Sequence, residues 1–468
     1  MSRRSPFYAL VVSGAVAAGN RHSAEAGAWA LREGGTAVDA ALASTFAAFV
    51  TEGPLTGPAG GGFVLLHEPG SEAVAIDCFF AVPSRAPADM DEVVIDFGDA
   101  STQVFSIGEA SVAVPGLLHG LEEAHVRRGR LPWERLFVPA LELARRGVEP
   151  DQAQAFLLEI LVPILHREEG GRRIYGTPGF IDKRDLVPTL DLIRATRSEA
   201  IAMLLPDLAA DLLGYAVETR VPLEGSIGDA MVLTMPEPSR GGRVVHTGLA
   251  TLDGREDDPS GSVAEARSLA AALAAGYAAA GPDSAAGARP TGTTNVSAVD
   301  GDGAAVALSS TLGSGSGVFR SGFQLNNMLG ELDVIGDEQR DPGTRLPSMM
   351  APTLVRDEGL PRLVVGSAGS VRLAGAILQV VAGVVRQGLS VEEAIARPRL
   401  HVDGTIVHVE GGWPDGVDAA LADDGFEPVV WASSNLFFGG ASAVERRRNG
   451  ALGAAGDPRR GGYGCIVR

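Results

Sequence analysis

Cysteine is nearly missing from this chain of 468 residues: only Cys78 and Cys465 occur, far apart. That excludes a disulfide framework and any Cys-based metal site, and makes a reducing, cytoplasmic setting the expectation. Lysine is scarcer still, with Lys183 the one example, so arginine carries almost all the positive charge. Positive charge is short overall, with 39 Lys and Arg against 58 Asp and Glu and a formal net charge of −19. So acidic a chain has no general attraction for nucleic acid or an anionic membrane, and any anion site must be local. The eight histidines show no HExxH or other metal-ligand spacing, so neither metal nor cofactor is expected. No run approaches the ~18 apolar residues of a membrane span. Arg3-Arg4 followed by Phe7–Ala18 imitates a short signal peptide, but the apolar run reads equally as a first buried strand, Tyr8–Ser13.

What is present reads as layers. Ala24–Glu33 and Ala37–Val50 are Ala-rich helical stretches broken at Gly34-Gly35, and Phe63–His67 and Ala73–Phe80 look like paired strands. Helices are expected over Leu117–Arg128, Trp133–Arg146, Ala153–Leu165 and Ser262–Ala280, with 185–285 helical and a loop at Pro236–Gly242. Gly281–Gly292 is small, polar and Pro/Gly-containing, an exposed loop. Beyond it, Thr293–Val299, Asp-Gly-Asp-Gly and Ala304–Ser310 make a strong hairpin signal. Further strands are expected at Thr353–Arg356, Leu363–Gly366, Thr405–Glu410 and Ser442–Arg446, with a helix over Val371–Gly388. Helices dominate the first half and strands the second, which favours α+β layers over alternating βαβ units.

The stretch Thr-Gly-Thr-Thr-Asn-Val-Ser-Ala-Val-Asp, 291–300, carries the chemistry. A cut between Gly292 and Thr293 would give Thr293 a hydroxyl nucleophile and a free α-amine on one residue. An α-amine titrates at about 7.7–8.0, so it can serve its own hydroxyl as general base at neutral pH. Other motifs fail. Gly57–Gly62 and Gly313–Gly317 are Gly-rich but lack the GK[ST] ending and the GxGxxG spacing, and no GxSxG elbow is present.

Several segments together resemble the gamma-glutamyltranspeptidase family of N-terminal-nucleophile hydrolases. They are Gly14–Gly19, Ala24–Ala41, Gly57–Phe63, Val114–Gly116, Pro236–Gly242, Thr293–Asp300, Leu325–Asn327, Ser348–Pro352 and Gly366–Arg372. The resemblance spans nearly the whole chain, from about residue 10, and implies that the first strand leaves no room for a cleavable leader. It implies a four-layer αββα sandwich, made as a precursor that cuts itself between Gly292 and Thr293. The segments 1–292 and 293–468 would then stay associated as one intertwined domain, and a homo-oligomer is compatible with it. Thr293 falls on the nucleophile. Thr311 falls on a second threonine whose hydroxyl bonds to it. Gly369 and Ser370 fall on a Gly-Gly pair whose N–H groups stabilise the oxyanion, where Ser370 would be strained if φ must be positive.

The departures concern substrate. Where the family has Asp-x-Arg-Glu-x-x-Pro this chain has Asp77-Cys-Phe-Phe-Ala-Val-Pro83, so Phe79 replaces the arginine that binds a glutamyl α-carboxylate. Gly313 replaces a polar side chain, and Met328 stands where a Gln is expected. Glu331 lies near the acid that holds the α-amine, and Pro347 and Ser348 cover a serine pair. Arg320 and Arg372 are the candidates for a replacement anion contact. Asn295 either lines the site or satisfies a buried carbonyl. These residues imply a small-molecule acyl-amide substrate less zwitterionic than glutathione. Hydrolytic C–C cleavage in a natural-product pathway, of the alkylproline type, and an unprocessed non-catalytic scaffold stay open as alternatives.

Overall fold

The computed structural model describes residues 14–86, 88–96, 102–281, 292–331, 335–336 and 340–468. Its centre is a seven-stranded antiparallel sheet. The strands run in the order Tyr463–Val467, Gly14–Ala18, Gly292–Asp300, Ala305–Gly313, Gly61–His67, Val74–Cys78 and Glu218–Arg220. A second, six-stranded sheet lies against it: Leu452–Gly456, Gly440–Arg446, Leu360–Ala368, Thr353–Asp357, Ala230–Thr234 and Leu223–Ile227.

The period-2 alternation of a strand sorts side chains into two cores. Val16, Val64, Val296, Val306 and Leu308 point out from the first sheet and pack on the helices Arg21–Arg32 and Ala37–Thr51. Their neighbours Ala15, Ala17, Phe63, Leu65 and Ala307 point inward to the second sheet. That sheet is covered in turn by the helices Arg240–Asp253, Val263–Ala280 and Arg372–Val385. The layers are therefore αββα, and the α+β expectation holds.

Local signals explain the elements that position the hairpin. Ala37–Thr51 starts at a capping box in which Thr36 and Asp39 satisfy each other's backbone N–H. Asp300 closes the hairpin turn by accepting from Asp302 and Ala304 N–H, and its other oxygen accepts from the N–H of Ala37 at 2.9 Å. One carboxylate thus ties the turn to the helix behind it.

The structure departs from expectation in places. Three strands, Glu218–Arg220, Leu223–Ile227 and Ala230–Thr234, occupy part of the region read as helical. Leu223–Ile227 is an edge strand whose buried and exposed positions alternate weakly, so its pattern is faint. The Pro236–Gly242 loop is cut short because Ser239 caps a helix that starts at Arg240. Two strands follow Ser442–Arg446, both short and Gly-bearing. The proposed strand Tyr8–Ser13 and residues 282–291 of the expected loop lie outside the described residues.

Candidate active site

The site grows out of one register. Thr293 stands across from Thr311, and a bulge follows so that Gly292 pairs with Gly313. The Thr311 side chain closes the bulge. Its Oγ1 accepts from the Gly313 N–H at 2.8 Å and donates to the Gly292 carbonyl oxygen. That carbonyl belongs to the Gly292–Thr293 peptide bond. The resemblance put the Thr311 hydroxyl on the Thr293 hydroxyl; in the unbroken chain it lies on the carbonyl a Thr293 hydroxyl would attack. A donor there draws charge onto the oxygen and makes the carbon more electrophilic.

Gly313 explains its own departure from the family pattern. Its φ is +67°, and a Cβ would stand 2.3 Å from Asn327 Oδ1 and 3.0 Å from Glu331 Oε1. Those two oxygens accept the Ser314 N–H at 2.7 and 2.8 Å, so the turn is built without room for a side chain at 313.

Across the site, Gly369 has φ +129° and Ser370 has φ +56°. The left-handed conformation at Ser370 costs on the order of 1–3 kcal/mol for a residue other than glycine. Its hydroxyl is buried without a hydrogen-bond partner among the described residues. Among those residues neither the Gly369 nor the Ser370 N–H reaches a backbone carbonyl.

Thr293, Thr311, Gly313 and Ser370 together line a small pocket, with a cavity of about 20 Å³. Phe79, Met328, Met349, Met350 and Leu373 make its apolar walls, with Ser348 and Glu331 as further polar groups. No arginine or lysine is among the described residues lining it. Phe79 stacks on Phe63 at 5.2 Å and meets Phe80 edge-on at 5.0 Å. Its backbone is held by Asp77 Oδ1, which accepts from the Phe79 N–H, and by the Tyr215 hydroxyl, which donates to the Phe79 carbonyl. Asp77 keeps cationic partners, Arg220 at 3.0 Å and Arg345 at 3.3 Å, although the arginine two residues after it is gone.

Two expected anion contacts are not brought to the cavity. Arg320 is half-exposed on its hairpin and pairs with Glu109 and, at 3.7 Å, with Glu168. Arg372 is buried with its guanidinium 4.5 Å above the Phe437 ring. Burial, with Arg460 nearby, pulls its pKa down to about 9. Neither arginine lines the cavity, because each is committed to another partner. Asn295 faces the second sheet, where its amide donates to the Gly440 carbonyl at 3.4 Å. It takes the carbonyl-satisfying alternative.

Sequence reasoning missed Met349, Met350 and Leu373, although the first two sit inside the Ser348–Pro352 segment it singled out. It also missed Glu52. This carboxyl lies behind the hairpin, accepting from Thr294 Oγ1 at 2.5 Å and from Ser23 Oγ at 2.8 Å. Burial pushes its pKa up to about 7, the two hydroxyl bonds oppose the rise, and the charge of Asp151 adds to it. A carboxyl with a raised pKa in the folded state favours folding in its neutral form. Wild-type stability should therefore fall relative to Glu52→Gln as pH rises from about 4.5 to 7, and level off above. The full difference is ~3 kcal/mol, and chemical denaturation of both proteins across pH 4–9 measures it.

The gamma-glutamyltranspeptidase family model matches residues 23–193 and 262–467. The chain belongs to the gamma-glutamyltranspeptidase family. It is 28% identical to the glutathione hydrolase proenzyme of Pseudomonas aeruginosa over 472 residues, covering 85% of this chain and 84% of that protein. It is also 28% identical to the acylase ACY 1 proenzyme of Pseudomonas sp. strain V22, covering 92% of this chain and 89% of that protein. The cephalosporin acylase structure from Bacillus halodurans superposes with a TM-score of 0.83 over 99% of this chain and 97% of that one, at 20% identity. That likeness speaks for the fold. This gamma-glutamyltranspeptidase-family chain is thus an enzyme of the N-terminal-nucleophile hydrolase and transferase kind. Among the described residues no helix is long and apolar enough to cross a membrane. Nor is any group of three or more His, Cys, Asp or Glu placed to hold a metal.

Proposed function

We propose that this chain is a self-processing threonine amidohydrolase that acts on a small acyl amide through an acyl-enzyme at Thr293. In the first step the Thr293 hydroxyl attacks the Gly292 carbonyl carbon, the C–N bond breaks, and an ester joins Gly292 to Thr293 Oγ1. Water then hydrolyses that ester, leaving a Gly292 carboxylate and the Thr293 α-amine. In turnover the α-amine takes the hydroxyl proton as the oxygen attacks the substrate carbonyl, then hands a proton to the leaving amine. The backbone N–H groups of Gly369 and Ser370 would hold the oxyanion. Water releases the acyl group, and the two chain segments stay together throughout.

The observation that carries the substrate reading is the cavity wall. Phe79, three methionines and Leu373 surround Thr293, with one carboxyl, Glu331, and no lining cation. A carboxylate-bearing glutamyl head would enter without the bidentate partner that its charge requires. The relatives at 28% identity include an acylase as well as a glutathione hydrolase, so a substrate other than glutathione is compatible with the family. A panel of p-nitroanilides tests this. Apolar acyl groups should exceed γ-glutamyl by at least about tenfold in kcat/KM, since one lost charge-assisted contact is worth more than 1.4 kcal/mol. Preference for γ-glutamyl would overturn the substrate reading and leave the nucleophile untouched.

A further inference from the structure

Alternation along the nucleophile strand places Thr293 and Thr294 on opposite faces. Thr293 looks into the cavity, and Thr294 looks back toward the helix layer, where its hydroxyl donates to Glu52 Oε2. Glu52 is the C-cap of the helix Ala37–Thr51 and is almost completely buried. Its second oxygen accepts from Ser23 Oγ, which lies 3.2 Å from Thr51 Oγ1. Beside this cluster Thr56 Oγ1 lies 2.8 Å from Ser310 Oγ, and Ser310 is the register partner of Thr294. Gly19 makes room for the arrangement. A Cβ there would stand 2.6 Å from both Glu52 Oε2 and Thr294 Oγ1.

The pattern is odd for a buried carboxyl. Among the described residues no arginine, lysine or histidine forms an ion pair with Glu52; its partners are hydroxyls. Burial without a cation, at the electronegative end of a helix, favours the neutral acid. A neutral carboxyl can still lock a hydroxyl in place, and it adds no fixed negative charge next to the site. The position of the lock matters more than its strength. The turn that follows Glu52 passes the start of the strand, where a Cβ on Gly292 would stand 3.1 Å from Leu55 Cα. Leu55 accepts the Leu312 N–H at 3.0 Å through its carbonyl.

We propose that Glu52 is a positioning residue that holds the Thr293 end of the strand in place, through Thr294, once the Gly292–Thr293 bond has been cut. The inference rests on the self-processing reading. Before the cut, the peptide bond and the Thr311 contact on the Gly292 carbonyl fix Thr293 from its amino side. After the cut that tether is gone, and the Thr294–Glu52 hydrogen bond is the side-chain contact next to the new end that the cut leaves untouched. Strand ends fray when they lose such contacts. A nucleophile displaced by about 1 Å costs on the order of a hundredfold in rate.

The test compares tethered and released strands. Glu52→Ala and Thr294→Val should cut themselves at close to the wild-type rate, yet turn over the best p-nitroanilide about 10- to 100-fold more slowly, with KM little changed. Thr294→Ser, which keeps the hydroxyl, should recover most of the turnover. Hydrogen exchange of residues 293–300 should rise in the cut Glu52→Ala protein. It should not rise when Glu52→Ala is combined with Thr293→Ala, which keeps the chain whole. Equal slowing of cutting and turnover, or faster exchange in both forms, would reduce Glu52 to a packing role and overturn the proposal. Unchanged turnover in a cut Glu52→Ala or Thr294→Val protein would overturn it as well. A wild-type chain that stays whole would instead sink the self-processing reading, and this proposal with it.

Discussion

Thr293→Ala should leave a single chain of 468 residues where the wild type, on the self-processing proposal, should give two pieces, 1–292 and 293–468. Alanine keeps the backbone of the Gly292–Asp300 strand and its pairing with Thr311, so the fold should persist. It deletes the oxygen that would attack the Gly292 carbonyl and later the substrate. Both reactions use that one atom, so both should disappear together. Loss of a nucleophile typically costs 10⁴-fold or more in kcat, and the residual rate reflects binding and the oxyanion donors alone. Thr293→Ser keeps the oxygen and should still cut. A denaturing gel and N-terminal mass analysis of the smaller piece read both outcomes. Cutting in Thr293→Ala, or a piece that starts elsewhere than residue 293, would remove Thr293 from the mechanism.

Thr311→Val should slow self-cleavage about 100- to 1,000-fold, the usual cost of losing one donor to a developing oxyanion. Valine has the shape of threonine and keeps the strand. It removes the hydroxyl that donates to the Gly292 carbonyl, and it also strips the Gly313 N–H of its acceptor. The second loss loosens the bulge, so some of the slowing comes from geometry. Thr311→Ser separates the two, because it restores both hydrogen bonds. A gel time course after expression at low temperature is enough to see the difference. Cleavage at the wild-type rate in Thr311→Val would show that the carbonyl contact is a bystander.

The hairpin was legible because its signals are local: alternation over Thr293–Val299, a Gly-rich turn, and alternation again. The Phe79 substitution was legible for a different reason, since its position was reached through the aligned Asp77 and Pro83. Side-chain direction was not legible. Arg320 and Arg372 carry the right charge, but Glu109 and Glu168 hold one and Phe437 covers the other, all distant in sequence. Glu52 was invisible for the same reason. It meets Thr294 across a separation of 242 residues, and nothing near position 52 announces the meeting. The faint edge strands at 218–227 lack the strong alternation that marks a half-buried strand, so short polar segments passed for helix.

The order of strands in the first sheet has a consequence for the cut molecule. Gly292–Asp300 and Ala305–Gly313 lie between Gly14–Ala18 on one side and Gly61–His67 on the other, and Tyr463–Val467 closes the outer edge beyond Gly14–Ala18. Two polypeptides made by a cut at residue 292 would be threaded through each other like interlaced fingers. They would not dilute apart, and their ratio would be fixed at one to one by a single round of translation. Equally, two halves synthesised separately would each lack the neighbours their strands need, so folding would have to come first and cutting second.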